Sequence, residues 1–326
     1  MDPLTHLLSG IVAGRAGLNR LSPQARWIVP LAAMAPDIDA VAGFWNPEAY
    51  LAWHRQWTHA LIAAPAVAAL PVLVAALRFG RRLKWRGSYL ASLPAVLLHD
   101  LLDLTNAYGV RLLLPFSDRW LRLDLLHVVD LWVWAVLLVA VLGPMLSRLV
   151  SREIGARSGS GRGAAVAALV CLQIYLGGRW VLHERAVAVL ASRLYEGEAP
   201  LRVAALPTAA NPLSWRGIVE AAPFYATCRL DLRKEFDPPA ARLLHKAGLT
   251  PEQSQAQGAA RSSPAFRIFL DFSQYPLWRI LPADQPEGAM RVEVMDLRFG
   301  EPPTPRFIAT ALVNAEGKVL RSGFQF

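Results

Sequence analysis

"LLHDLLDLTNAYG", residues 97–109, is an apolar run interrupted by three ionisable side chains, His99, Asp100 and Asp103. Each costs free energy to hold in hydrocarbon, so their presence needs a physical reason. In a helix, His99 and Asp103 stand at i,i+4 on one face, with Asn106 a further turn along. Asp2 and His6 repeat that spacing.

The rest of the chain places this run in a membrane. Of 326 residues, 54% are hydrophobic and only 18% charged, against roughly a quarter charged in soluble proteins. "ALIAAPAVAALPVLVAAL" (60–77) and "LWVWAVLLVAVLGPML" (131–146) are uncharged and close to the length of about 20 residues that a spanning helix needs. Weaker runs lie at 4–18, 27–44, 88–106 and 164–183. The net charge of +9 gathers in short connectors: Arg15, Arg20 and Arg26, then "RFGRRLKWR" (78–86), then Arg148, Arg152, Arg157 and Arg162. That is a positive-inside pattern and not a nucleic-acid footprint. No basic n-region opens the chain, Asp2 following Met1 directly, so no cleavable signal peptide is expected. Cys171 and Cys228 are not expected to pair.

With the basic connectors in the cytoplasm, six helices follow, at about 4–18, 27–44, 58–78, 88–107, 126–147 and 164–183, the first two short enough to be partial spans. Residues 1–184 form the helical membrane domain and 185–326 an extracytoplasmic α+β domain, mostly antiparallel sheet. In the latter, "FRIFLDF" (266–272), "MRVEVMDLRF" (290–299) and "FIATALVNAEGKVLRSGFQF" (307–326) alternate like strands, with a hairpin turn at Asn314–Gly317. "PPAARLLHKAG" (238–248) reads as a short helix and "PEQSQAQGAARSSP" (251–264) as a flexible loop.

This topology sorts the polar residues to the outward ends of the helices. Asp2 and His6, Asp37 and Asp39 in "APDIDAV", His54 and His59 in "HRQWTHAL", then His99, Asp103 and Asp130 all reach one layer. Imidazole nitrogen and carboxylate oxygen are ligands for zinc or a related divalent ion such as manganese or iron. A bound cation turns buried carboxylates into stabilised ligands, which supplies the reason the opening run needs. The candidates His6, Asp37, Asp39, His54, His59, His99 and Asp103 outnumber the ligands of one tetrahedral ion, so two or three ions are conceivable. Such clusters suit hydrolysis by metal-activated water, with Asp39 or Asp37 taking its proton and Arg55, Arg111 or Arg119 holding a phosphate. His127 and His183 read as packing, Asp2 as a helix cap or a supporting group, Asp118 and Asp124 as solvated loop, and Asp100 as a hydrogen bond to a neighbouring helix. Neither HExxH nor GxSxG is present.

In this order, "MDPLTHLLSG", "APDIDAV", "HRQWTHAL" and "LLHDLLDLTNAYGVRLLLPFSDRW" resemble the YdjM-like family of bacterial and archaeal membrane proteins over about residues 1–150. "NPLSWRGIVE" (211–220) resembles the extension carried by some members. The resemblance implies a metal-dependent hydrolase, distantly similar to zinc-dependent phospholipases C and related single-strand nucleases. It makes His6, Asp37, His59, His99 and Asp103 the leading ligands and Asp39 and His54 the next.

The expected activity is cleavage of a lipid or lipid-linked phosphoester from the outer leaflet of the bacterial inner membrane, because a site sunk among helix ends is reached most easily by an amphiphile. A metal-ion transporter and a non-catalytic envelope scaffold with a structural metal are the alternatives. The inward halves of the helices look apolar, which argues against transport. Oligomeric state is not set by the sequence.

Overall fold

Helix-start chemistry is written clearly into the N-terminal region. The computed structural model describes residues 1–153, 160–246 and 248–325. Arg157, Ala247 and Phe326, which enter the sequence readings above, lie outside the described residues, as does the side chain of Arg152. Helix α1 (Pro3–Ala16) starts where the Asp2 carboxylate accepts the Thr5 N–H at 3.1 Å, and Pro3 presets the first helical φ. Helix α2 (Ala25–Ala32) gives way to a 3₁₀ segment, Pro36–Phe44. Helix α3 (Pro47–Trp53) is capped by Asn46, whose side chain accepts from Ala49 N at 2.6 Å. Helices α4 (Ala64–Phe79), α5 (Trp85–Leu104), α6 (Leu131–Glu153) and α7 (Arg162–Ala191) complete the bundle.

Fewer of these helices qualify as spans than the apolar runs suggest. Ala64–Arg82, Leu131–Leu149 and Arg162–Ala191 are long and apolar enough to cross a membrane. Helix α2 and the 36–44 segment make a fourth only as a pair bent by 56°. Helix α1, with 14 residues, reaches about 21 Å against a hydrocarbon core of about 30 Å. Helix α5 has 20 residues but ends in His99, Asp100 and Asp103, and is not among the apolar spans. Helix α7 continues unbroken past residue 184 to Ala191, so the expected domain boundary falls inside a helix.

Small residues let the helices approach closely. Ala25, Ala32, Ala64, Ala68, Ala91 and Ala95 pack α2, α4 and α5 together. Gly10 serves the same end: a Cβ there would stand 2.7 Å from Ala33 Cβ and 3.0 Å from Pro30 Cα. Val12, Leu102, Leu137, Ala140 and Ala165 bury α1 against α5, α6 and α7. The basic connectors share one end of the bundle. Arg15 donates to the Val141 carbonyl at 2.8 Å and Arg162 to that of Ala16 at 2.9 Å.

The C-terminal part contains two four-stranded antiparallel sheets, each in sequential order. The first holds β1 (Arg202–Pro207), β2 (Ser214–Glu220), β3 (Phe224–Asp231) and β4 (Arg242–His245). The second holds β5 (Pro276–Pro282), β6 (Met290–Asp296), β7 (Ile308–Val313) and β8 (Val319–Gln325). The expected hairpin at Asn314–Gly317 joins β7 to β8, with Gly317 at φ +80 closing the turn. Three local expectations are overturned. Residues 251–264 are not a loop: helix α8 (Pro251–Ser262) forms behind a capping box in which Thr250 and Gln253 satisfy each other's backbone N–H. "FRIFLDF" is not a strand but helix α9 (Pro264–Phe272), which buries Phe266, Phe269 and Phe272 at helical spacing. Within 238–248, a 3₁₀ turn at Pro238–Ala240 and strand β4 stand where a helix was expected.

The two parts of the chain share a core. Leu51 of α3 and Tyr108 are buried with Phe269, Phe272, Val292 and Phe324. Arg298, fully buried beside Asp296, donates to the carbonyls of Ala107 at 3.0 Å and Tyr108 at 3.1 Å. Arg111 pairs with Asp271 at 2.6 Å. Helix α7 enters the first sheet directly, where Ala186 and Leu190 pack with Trp215 and Phe224.

Candidate metal centre

Four side chains from three separate segments converge at the end of the bundle opposite the basic connectors. Asp37 comes from the 3₁₀ segment, His59 from the turn before α4, and His99 and Asp103 from one face of α5. His59 Nε2 and His99 Nε2 are 3.1 Å apart. Asp103 Oδ2 lies 3.4 Å from each of them, and Asp37 Oδ1 lies 3.5 and 3.6 Å away. Ligands held at 2.0–2.2 Å around a tetrahedral zinc stand roughly 3.3–3.6 Å from one another. Five edges of such a tetrahedron are therefore already drawn by the side chains.

The surroundings fix which ring atoms face the centre. His99 Nδ1 lies 2.8 Å from the carbonyl oxygen of Ala33, which can only accept, so the ring proton belongs on Nδ1. His59 Nδ1 sits between Asp39 Oδ2 at 3.2 Å and Thr58 Oγ1 at 3.1 Å, with the same consequence. Both Nε2 lone pairs then point inward, toward two carboxylate oxygens. Four electron-rich atoms facing one point are mutually unfavourable without a cation, and this carboxylate–histidine pattern is the usual support around a metal.

Asp39 stands beside this group, not in it. It accepts from His54 Nδ1 at 2.8 Å, Arg55 N at 3.0 Å, Thr58 Oγ1 at 2.5 Å and His59 Nδ1 at 3.2 Å. Three of these donors crowd Oδ2, whereas Oδ1 accepts from His54 alone and keeps a lone pair for an ion or a proton. His54 spends Nδ1 on Asp39, which leaves Nε2 as its lone-pair atom. Asp37, Asp39 and His54 form a second group that could hold one ion.

His6 is fully buried and stacked on His99, ring centroids 3.7 Å apart. Its Nε2 is 3.2 Å from Asp103 Oδ1, yet neither ring nitrogen makes a hydrogen bond, and Asp103 Oδ2 makes none either. Buried polar atoms without partners are costly, and ligation would satisfy them. The Met1 amine also contacts Asp103.

Arg55 is enclosed, not presented to a ligand. Its guanidinium donates to Asn106 Oδ1 at 3.0 Å and pairs with Asp103 Oδ1 at 2.9 Å, under a Tyr108 ring 4.7 Å away. Its backbone adopts φ 62, a strained conformation for a side-chain-bearing residue, held by Arg111 N–H donating to its carbonyl at 3.0 Å. Arg111 is likewise spent, on Gln56, Asp271 and the Trp120 ring, while Arg119 is exposed.

The remaining polar residues divide as follows. Asp2 both caps α1 and accepts from Trp134 Nε1 at 3.2 Å. Asp130 caps α6 and accepts from Tyr175. His127 faces the Val129 carbonyl and His183 packs near Trp215. Asp118 is exposed, but Asp124 is buried against Arg122 and is not solvated loop. Asp100 is buried with both oxygens free of hydrogen bonds, so the expected bond to a neighbouring helix is not made. Thr58 and the Ala33 carbonyl, which aim the two histidines, carry no sequence signal; only the folded chain brings them there.

The YdjM inner membrane protein family matches residues 1–186, the whole segment that supplies these side chains. The chain belongs to the YdjM inner membrane protein family. The uncharacterized protein YfhP of Bacillus subtilis (strain 168) is 34% identical over 153 residues, covering 43% of this chain and 45% of that protein. The chain thus spans less than half the length of this relative. No solved structure matches. The membrane helices and the family agree on an inner membrane setting, and the buried Asp and His group could hold a metal ion within it.

Proposed function

We propose that this YdjM family member is a membrane-embedded, metal-dependent hydrolase that cleaves a phosphoester of a lipid or lipid-linked substrate near the outer leaflet. The observation that carries the reading is the set of near-tetrahedral spacings among Asp37, His59, His99 and Asp103, with both imidazoles aimed by acceptors behind them.

The donor set of two imidazoles and two carboxylates suits zinc first, with manganese and iron also compatible. Asp37, His59, His99 and Asp103 would hold one ion, with His6 adjoining. With four side chains holding it, a divalent ion would have to take water as a further ligand; it would then supply a water acidic enough to attack at neutral pH and positive charge for the phosphoryl oxygens. The chain's own groups do the rest. Asp39 locks the His59 and His54 rings through their Nδ1–H groups. His54 Nε2 is left free to take a proton. Arg55, itself held by Asn106, balances the charge of Asp103 and fixes its carboxylate directly.

Orientation follows from the basic end of the bundle, which the positive-inside rule assigns to the cytoplasm. The centre and the two sheets then lie on the extracytoplasmic side. The test is hydrolysis of labelled phospholipids and polyprenyl phosphates by the purified chain in detergent or vesicles. Turnover abolished in His99→Ala is expected; turnover unchanged in that variant contradicts the assignment.

A further inference from the structure

The centre is closed toward the sheets and open sideways. His6, His59, His99 and Asp103 side chains are 0% exposed, whereas that of Asp37 is 16% exposed. Above the centre, Tyr108 covers Arg55 and packs 4.7 Å from Phe272 and 5.8 Å from Phe299, and Leu51 is buried in the same core.

The flank at Asp37 is different. Its own segment turns Ile38 and Val41 outward, and the loop delivering His59 exposes Trp57 and Ile62. A third loop is tied to this one by Leu61 N–H donating to the Leu112 carbonyl at 2.9 Å, and it ends in Phe116, 84% exposed. Exposed apolar side chains (the rim) on the Asp37 segment, on the His59 loop and on the loop tied to it are not a surface that water favours.

Depth points the same way. Along α5, His99 stands fourteen residues, about 21 Å, beyond Trp85 at the basic end, whereas the hydrocarbon core is about 30 Å thick. The rim therefore sits roughly 10 Å below the far membrane surface. Helix α7, with 30 residues, continues well beyond it to carry the sheets.

We propose that the centre opens laterally into the bilayer and that one hydrocarbon chain of the substrate lies along Ile38, Val41, Trp57, Ile62 and Phe116, its polar head at Asp37. This portal rests on the reading of the centre as a lipid phosphoesterase. It makes the rim the element that selects substrates by their tail.

The test places the full chain in phosphatidylcholine–phosphatidylglycerol vesicles with and without brominated acyl chains. The Trp57 contribution, taken as wild type minus Trp57→Phe, is expected to be quenched by bromolipid and insensitive to acrylamide. Adding Phe116→Trp to the Trp57→Phe chain should restore a lipid-quenched emission. Quenching of both positions by acrylamide and not by bromolipid overturns the portal. In the activity arm, Phe116→Ser should lower turnover of a long-chain lipid substrate at least tenfold while leaving bis(p-nitrophenyl) phosphate hydrolysis unchanged. An equal effect on both substrates contradicts tail selection. If the wild type hydrolyses neither, the phosphoesterase reading fails, while the quenching result still decides whether the rim faces lipid.

Discussion

His59 Nε2 and His99 Nε2 face each other across 3.1 Å while both Nδ1 atoms are turned to acceptors. Two lone pairs held this close repel unless a positive charge lies between them. Removing the ion should therefore destabilise the fold as well as silence the site. Chelation is expected to lower the thermal midpoint of the purified protein, and zinc should restore it. A ligand present at a hundred times its Kd contributes about 2.7 kcal/mol. A midpoint indifferent to both treatments would remove the energetic link between ion and fold.

Asp39 reaches His59 and His54 together, so Asp39→Asn disturbs orientation while leaving Asp37, His59, His99 and Asp103 in place. Loss of such support behind a ligand typically weakens metal affinity by about 10–100-fold. Competition with a chromogenic chelator measures it. Unaltered affinity in Asp39→Asn would show that the rings are aimed by something else.

Gly10 connects helix packing to the centre. A side chain there meets Ala33 at 2.7 Å, and the Ala33 carbonyl holds His99. Gly10→Val is expected to push α1 from α2 and to reduce the metal retained after purification. Gly143→Ala, where nothing among the described residues lies within 4 Å, is the control and should retain the wild-type content.

Arg298 and Asp296 form a fully buried pair in the C-terminal part. Burial alone would raise the Asp296 carboxyl; the Arg298 guanidinium and backbone N–H groups outweigh it and hold the carboxyl below its ordinary value. A depressed folded pKa contributes stability that is present above the unfolded pKa of about 3.9 and is lost as pH falls through the folded value. Unfolding midpoints should thus show no contribution from this pair changing between pH 7 and about pH 5. Arg298→Met removes the guanidinium and leaves only backbone N–H groups against the burial, which should cost about 3–5 kcal/mol and move the onset of acid sensitivity to higher pH. Unfolding followed against pH in both proteins checks the sign.

What could be read from the sequence was whatever is local or shared by many helix ends. The i,i+4 pair His99 and Asp103, and the gathering of Asp37, His59 and His6 at one end of the bundle, needed only helical spacing and the placement of arginines. Helix α9 escaped because "FRIFLDF" fits both periods in so short a run, and only packing against β7 and β8 decides between them. Helix α8 did carry a signal, the Thr250–Gln253 capping box, hidden in a polar stretch with little apolar periodicity. The Asp39 role and the seal made by Tyr108, Arg298 and Leu51 are long-range contacts. No spacing along the chain encodes them.

The most direct measurement is elemental analysis of the protein purified without chelator, alongside His59→Ala and His99→Ala. At least one equivalent of a divalent metal per wild-type chain, falling to a small fraction in both variants, is the expected result. A wild-type protein that carries no metal and takes up none when zinc, manganese or iron is supplied would contradict the account.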